Sequence, residues 1–263
     1  AEGRPHPCLA AKLARPLGAG WWGKPASLDE GEIRKARADY YGLISEVDHH
    51  IGRILEALKA RGELARTLVI FTSDHAEMLG DHWLMGKDGF FRQAFHVPLI
   101  VRDPTVGAAR GHVVEAFTEH VDLMPTILER LGLEIPLECD GHSLAPLLEG
   151  QTPTGWREAA HYEHDFRDIE TLTFEGALGL SSERCALAVR QSERFAYVHF
   201  NGLPALCFDL QDDPDQLTDI AAEPSRAADV LGQAQAMLSF RMDKAERRLT
   251  GCKLTASGVI GTF

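Results

Sequence analysis

The stretch Leu68-Val69-Ile70-Phe71-Thr72-Ser73-Asp74-His75 changes character at its middle. Its first half is short, branched or aromatic, and apolar at consecutive positions, so both faces of a pleat would be covered, as in the buried strands of parallel sheets. Its second half is polar. A strand that runs out into Asp74 and His75 delivers a hard oxygen donor and an imidazole to the carboxyl end of a sheet, where open α/β sheets bind their ligands. That donor pair suits a divalent cation. Two donors do not complete a coordination shell, so the rest must come from other segments, water or a substrate oxygen.

The loop that follows, out to about Gln93, carries Gly80-Asp81-His82, then Gly86-Lys87, then Gly89. A lysine held at a strand-end crevice beside a cation binds an anionic oxygen and offsets charge developing on a leaving group. Val97-Pro98-Leu99-Ile100-Val101 reads as a second strand, with proline at its start where a missing donor is tolerated.

Upstream, Ser27-Leu28-Asp29-Glu30 has the spacing of a capping box and opens a helical period. Ile33, Ala36, Tyr40, Leu43, Ile44, Val47, Ile51, Ile54, Leu55 and Leu58 fall on one stripe, and Gly62 supplies the stop. This predicts a helix of roughly 30 residues, about 45 Å long. The Pro-, Gly- and Ala-rich text before it, with Trp21-Trp22-Gly23, reads as an irregular arm. Downstream, residues 120–132 read as a short helix closed by glycine, and residues 143–149 as a further helical turn after the tight Asp140-Gly141. Beyond Gly150, residues 184–190, 194–200 and 205–210 read as antiparallel strands, and residues 224–249 as a last helix. The acidic text from Asp209 to Asp219 lacks the ligand spacing of a calcium loop and reads as a turn. The expected architecture is an α/β body over residues 1–165, part of a mostly parallel sheet flanked by helices, followed over residues 166–263 by a small antiparallel sheet with a C-terminal helix.

Composition narrows the function. The 263 residues are 44% hydrophobic and 25% charged, enough for one large or two modest cores. Against 39 Asp and Glu there are only 27 Lys and Arg, a formal charge of −12, so no basic field is available to hold nucleic acid. The longest apolar runs fall far short of the roughly 18 to 20 residues that span a bilayer. Five cysteines, an odd count without regular spacing, point to buried thiols in a reducing compartment, and with no signal-peptide pattern the expected location is cytoplasmic.

Ser73-Asp74-His75-Ala76-Glu77-Met78-Leu79-Gly80-Asp81-His82, then Gly86-Lys87, then Val97 to Arg102, resembles the sulfatase branch of the alkaline phosphatase superfamily. Tyr40-Tyr41-Gly42 to Gly52-Arg53, Val121-Asp122-Leu123-Met124-Pro125-Thr126, and Asp140-Gly141 with Ser143-Leu144 and Pro146-Leu147-Leu148 continue the likeness in order. Glu163-His164-Asp165-Phe166-Arg167 and Tyr197 through Leu210 resemble more closely the phosphonate monoester hydrolases within that branch.

The resemblance implies an alkaline-phosphatase-like fold, of which this chain would be the carboxyl-terminal portion. It implies that Asp74 and His75 bind one divalent ion, with manganese or calcium ahead of zinc and iron. Lys87 would contact the transferred phosphonate, phosphate or sulfate group, and Asp81 and His82 would order the loop around them. Where the family has glycine this sequence has Ala76, a departure that matters if the backbone there needs a positive φ. The family's nucleophile, a Cys in Cys-x-Pro/Ala-x-Arg oxidised to formylglycine, is missing from this chain. Cys8-Leu9-Ala10-Ala11-Lys12 ends in lysine rather than arginine, and Cys139, Cys185, Cys207 and Cys252 lack the pattern outright. The formylglycine is then expected in an amino-terminal part.

The expected function is metal-dependent hydrolysis of phosphonate, phosphate or sulfate esters, with a small anionic ester as partner and homo-oligomerisation through any apolar face left uncovered. The alternatives are a truncated, non-catalytic sulfatase-like protein and a two-metal esterase of the alkaline phosphatase kind.

Overall fold

The structure, a computed structural model, describes residues 6–14, 29–87, 89–105, 107, 109–136, 138–168, 170–245 and 252–261. It opens with a helix that the text before Ala26 did not announce, α1 (Pro7–Ala14). Burial makes this helix: Cys8 is inaccessible, and Leu9 and Leu13 pack on the main core. Helix α2 (Glu30–Ala60) has the expected length of 31 residues but begins on a different cap. Asp29 Oδ1 accepts from Glu32 N at 2.8 Å and Glu32 Oε2 accepts from Asp29 N at 2.9 Å, so the reciprocal box is two carboxylates, which also favour the positive end of the helix dipole. Ser27, Trp21 and Trp22 lie outside the described residues. Of the apolar stripe on α2 only Ala36 is buried, while Leu43, Ile44, Val47 and Ile54 face outward.

Strand β1 (Val69–Thr72) and strand β2 (Leu99–Arg102), with the short helix α3 (Arg92–Phe95) between them, form a two-stranded sheet. They are antiparallel, with Val69 opposite Arg102 and Thr72 opposite Leu99, whereas the apolar run of β1 read as a strand of a parallel sheet. The apolar run of β1 told that its faces would be covered, not which way its neighbour runs. That direction is set by the connection, and here the chain returns along the same edge. β1 is half-buried throughout rather than enclosed, and Ile100 on β2 is exposed.

A 3-10 turn at His120–Asp122 leads into α4 (Leu123–Arg130), and α5 (Ala145–Leu148) follows the Asp140-Gly141 turn. Gly141 is compelled by closeness: a Cβ there would lie 2.1 Å from the Val121 carbonyl oxygen. That approach lets His142 N donate to Asp122 Oδ1 at 2.8 Å, and Thr126 Oγ1 receives Leu144 N at 2.7 Å.

The largest sheet runs β3-β4-β5-β6, antiparallel throughout, from β3 (Ala159–Asp165), β4 (Ala186–Ser192), β5 (Phe195–Phe200) and β6 (Leu206–Asp209). The last three match the expected strands. β3 and the intervening α6 (Thr173–Leu178) did not stand out in the sequence. Side chains alternate across the sheet. Leu187, Val189, Val198, Phe200, Leu206 and Phe208 turn to one face, where Met78, Phe90 and Phe91 of the loop after β1 pack on them. Ala188, Tyr197 and Cys207 turn to the other, under Met237 of α7 (Ala227–Asp243). Helix α7 stops short of the expected Leu249, and residues 246–251 lie outside the described set. A hairpin of β7 (Cys252–Thr255) and β8 (Gly258–Gly261) closes the chain.

Cys8, Cys185 and Cys207 are fully buried thiols in three separate segments, and Cys139 is half-buried. Burial pushes the Cys185 thiol up, and the Cys207 thiol up to about 12. No described helix is long and apolar enough to cross a membrane.

Candidate active site

β1 ends at Thr72, and the next three residues turn on their own polar atoms. Ser73 Oγ donates to the His75 carbonyl at 2.6 Å, and His75 Nδ1 lies 2.8 Å from the Ala76 carbonyl. A carbonyl only accepts, so Nδ1 is the donor in this bond and Nε2 is the nitrogen left to face a ligand. That nitrogen stands 3.5 Å from Asp74 Oδ2. Asp74 is largely exposed, its side chain 84% accessible, and its carboxyl is held below the ordinary range first by the His75 N–H and further by the charges of His75 and Lys87. The pair therefore offers one carboxylate oxygen and one imidazole nitrogen close together and open to a ligand, with the second ring nitrogen tied to backbone as in metal-binding histidines. This donor set fits a divalent cation. Among the described residues no group of three or more His, Cys, Asp and Glu side chains is placed to hold a metal ion.

Ala76 serves without strain. Its N–H donates to the Ala94 carbonyl at 2.9 Å, and it is not among the residues of positive φ. The positive φ values come later, at Leu79, Gly80, His82 and Trp83. Asp81 turns its carboxylate to Arg37 of α2, with Nη2 at 2.9 Å from Oδ1. The His82 ring stacks on Phe91 with centroids 3.6 Å apart. Lys87 is exposed at the end of this loop, and its charge reaches Asp74. Cys8, buried in α1, sits in the core.

Sequence reasoning missed what stands beside the pair. A cleft of about 750 Å³ is lined by Asp74, Thr72, His96, Glu119, His120 and His161 among others. His120 Nε2 lies 3.0 Å from Thr72 Oγ1, joining the 3-10 turn to the end of β1. Behind it is a buried ionic group. Arg157 donates to both oxygens of the inaccessible Asp122, with Nη2 at 2.6 Å from Oδ1, and its Nη1 lies 3.7 Å from Glu119 Oε2. Glu119 N donates to Asp122 Oδ2 at 2.8 Å, and Glu119 Oε1 receives the His161 N–H at 2.7 Å. Burial would raise the Glu119 carboxyl, but the hydrogen bonds from His161 and the charge of Arg157 bring it below its ordinary value. The His161 ring lies flat on Phe240, 3.6 Å between centroids. Arg157 and His161 lie 35 to 42 positions beyond Glu119 and Asp122 in sequence, and only Asp122 belonged to a stretch that stood out.

Two family models match: one described as sulfatase, over residues 9–133, and one described as N-sulphoglucosamine sulphohydrolase, C-terminal, over residues 80–244. The chain is 45% identical over 237 residues to the multifunctional alkaline phosphatase superfamily protein PehA of Trinickia caryophylli, covering 90% of this chain and 46% of that protein. It is 32% identical over 198 residues to arylsulfatase K of Xenopus laevis, covering 75% of this chain and 36% of that protein. Among solved structures, the phosphonate monoester hydrolase of Agrobacterium radiobacter superposes with a TM-score of 0.91 at 46% identity, covering 98% of this chain and 52% of that one. The phosphonate monoester hydrolase SpPMH of Silicibacter pomeroyi superposes at 0.89 with 37% identity, covering 98% and 51%. The chain thus spans about half the length of these solved structures and less than half of the two sequence relatives.

Proposed function

The chain belongs to the sulfatase branch of the alkaline phosphatase superfamily, and from that premise we propose that it is the carboxyl-terminal portion of a metal-dependent hydrolase of phosphonate, phosphate or sulfate esters. Its fold is alkaline-phosphatase-like, and enzymes of this family are metal-dependent, use formylglycine and act on ester bonds. One observation carries the reading for this chain: Asp74 Oδ2 and His75 Nε2 stand side by side at the end of β1, with His75 Nδ1 tied to the Ala76 carbonyl and the Lys87 charge lowering the Asp74 carboxyl.

Asp74 and His75 would hold one divalent ion, manganese or calcium by preference, whose positive charge at that point would polarise the ester and lower the pKa of an oxygen nucleophile. Asp74, ionised well below neutral pH, brings a permanent negative charge to the ion. His75 would bind through Nε2, its other ring nitrogen being tied to the Ala76 carbonyl. Lys87 lies against the non-bridging oxygens of the tetrahedral group and offsets the charge that grows there as the ester oxygen leaves. Asp81 and His82 order the loop through Arg37 and Phe91. The formylglycine nucleophile belongs to an amino-terminal part, since none of the five cysteines of this chain sits in Cys-x-Pro/Ala-x-Arg.

That last observation also favours a second reading, a non-catalytic sulfatase-like chain. Reading the coding DNA upstream of Ala1, followed by assay of the intact polypeptide against an aryl phosphonate monoester, a phosphodiester and an aryl sulfate, separates the two. An in-frame nucleophile segment with turnover that falls at least a hundredfold in Asp74→Asn, His75→Ala and Lys87→Ala supports the hydrolase. Absence of the segment, or turnover indifferent to these three changes, overturns it.

A further inference from the structure

The loop that carries Lys87 is bent into a shape its residues resist. Leu79 (φ +47), His82 (φ +50) and Trp83 (φ +56) occupy the left-handed region that side chains with a Cβ rarely adopt, with Gly80 at φ +91 between them. Such a conformation persists only where the surroundings over-determine it. Two side chains do this, one from within the loop and one from outside.

Glu77 works from within. Its Oε1 accepts from Leu79 N at 3.3 Å and also from Gly86 N, so one carboxylate oxygen joins the residue that opens the strained turn to the residue immediately before Lys87. Met78 N donates to the Gly86 carbonyl at 3.0 Å alongside, closing the loop at its neck. Arg37 works from outside. It lies in α2, and it donates from Nε to the Leu79 carbonyl at 2.9 Å and from Nη2 to Asp81 Oδ1 at 2.9 Å. One turn earlier on the same helix, Ile33 packs so near Gly80 that a Cβ there would meet Ile33 Cγ2 at 3.0 Å. The loop is therefore gripped across its strained residues by α2 and pinched at its neck by Glu77, and Lys87 leaves the pinch as the next residue.

We propose that Glu77 and Arg37 are positioning residues that fix the place of Lys87 relative to Asp74, Glu77 by joining the two ends of the loop and Arg37 by holding its strained middle. The proposal rests on the reading of Lys87 and Asp74 as site residues for what the placement is used for, but the placement itself can be tested without turnover. Neither carboxylate nor guanidinium needs to touch substrate. Each holds backbone whose relaxation would let the lysine drift.

The test uses the full chain, Ala1–Phe263, and two readouts. Zero-length carbodiimide coupling of Lys87 Nζ to the Asp74 carboxylate is quantified by peptide mass spectrometry, with Asp74→Asn as the blank. Hydrogen exchange is followed at the amides of residues 78–91 and, for comparison, of β4 and β5. Loss of a charge-assisted hydrogen bond shifts a local opening equilibrium by about tenfold. In Glu77→Ala and Arg37→Ala the loop amides should exchange about tenfold faster while β4 and β5 are unchanged, and the Lys87–Asp74 product should fall by a similar factor. Glu77→Gln keeps an acceptor oxygen and should restore both toward wild type. Undiminished coupling in Glu77→Ala and Arg37→Ala overturns the proposal. So does faster exchange without loss of coupling, which would make the two residues props of the loop alone. Absence of the product in the wild type overturns it as well, since Lys87 would not then be held at Asp74. An intact protein that hydrolyses no ester would sink the hydrolase reading and leave these results standing.

Discussion

Arg157→Ala is the change whose cost follows most directly from the buried ionic group beside the cleft. The guanidinium is 13% exposed and donates to both oxygens of Asp122, which is fully enclosed, while standing 3.7 Å from Glu119 Oε2. Removing it leaves Asp122, among the described residues, with two N–H donors, from Glu119 and His142, and no opposite charge. Stranding one charge of a buried pair costs about 3–5 kcal/mol, against about 0–1 kcal/mol for an exposed pair. At roughly 2–4 °C per kcal/mol for a chain of this size, the melting midpoint should drop by about 6–20 °C. Trp156 is a local reporter, since its Nε1 donates to the Phe117 carbonyl at 2.8 Å and its ring lies 5.5 Å from the Arg157 guanidinium carbon. Urea unfolding followed by tryptophan fluorescence would give the free energy. If stranded charge is the cause, Asp122→Asn should cost less in the Arg157→Ala background than in the wild type. A loss under about 1 kcal/mol for Arg157→Ala, or strict additivity of the two changes, would refute the reasoning.

Two further outcomes follow from other parts of the chain. Gly141→Ala places a methyl carbon 2.1 Å from the Val121 carbonyl oxygen, so backbone must move, and denaturant unfolding should show a loss of at least about 1–3 kcal/mol. Asp209, enclosed at the end of β6, is brought from 3.8 to about 2 by hydrogen bonds from Arg194 and, against the cost of burial, from Arg226. A depressed carboxyl contributes stability that is complete above its unfolded value and is lost as pH falls through the folded one. Stability should therefore decline between about pH 4 and pH 2 by no more than about 2 kcal/mol, since Arg194 is half exposed, and Asp209→Asn should flatten that window.

What could be read in the sequence was local. β1, β5, β6 and the length of α2 follow from the period and branching of their own residues. β3 was invisible because an edge strand with the text Ala159-Ala160-His161-Tyr162-Glu163-His164-Asp165 has little apolar alternation, and its place is fixed by β4 rather than by its own propensity. α1 likewise exists because Cys8 has somewhere to be buried. At the site, Asp74, His75 and Lys87 were legible because they stand in one short stretch with a familiar spacing. Glu119, Arg157 and His161 were not, because their meeting depends on a 3-10 turn, the loop before β3 and a sheet edge arriving together. The antiparallel course of β2 belongs to the same class, being a property of the path between two strands.

The three enclosed thiols have a practical consequence. Cys8 lies in the first helix, Cys185 in the turn before β4 and Cys207 within β6, each with no exposed surface and the latter two with thiols pushed toward the neutral form. The thiolate is the species that alkylating reagents attack, so in the native chain Cys185 and Cys207 are silent twice over and Cys8 is silent by burial. A brief maleimide pulse would mark each of them only in molecules that have opened at that place, and the peptide carrying the label would say which element opened first. The chain thus contains its own three-point clock for unfolding, with Cys139 at the half-buried turn as a fast internal reference.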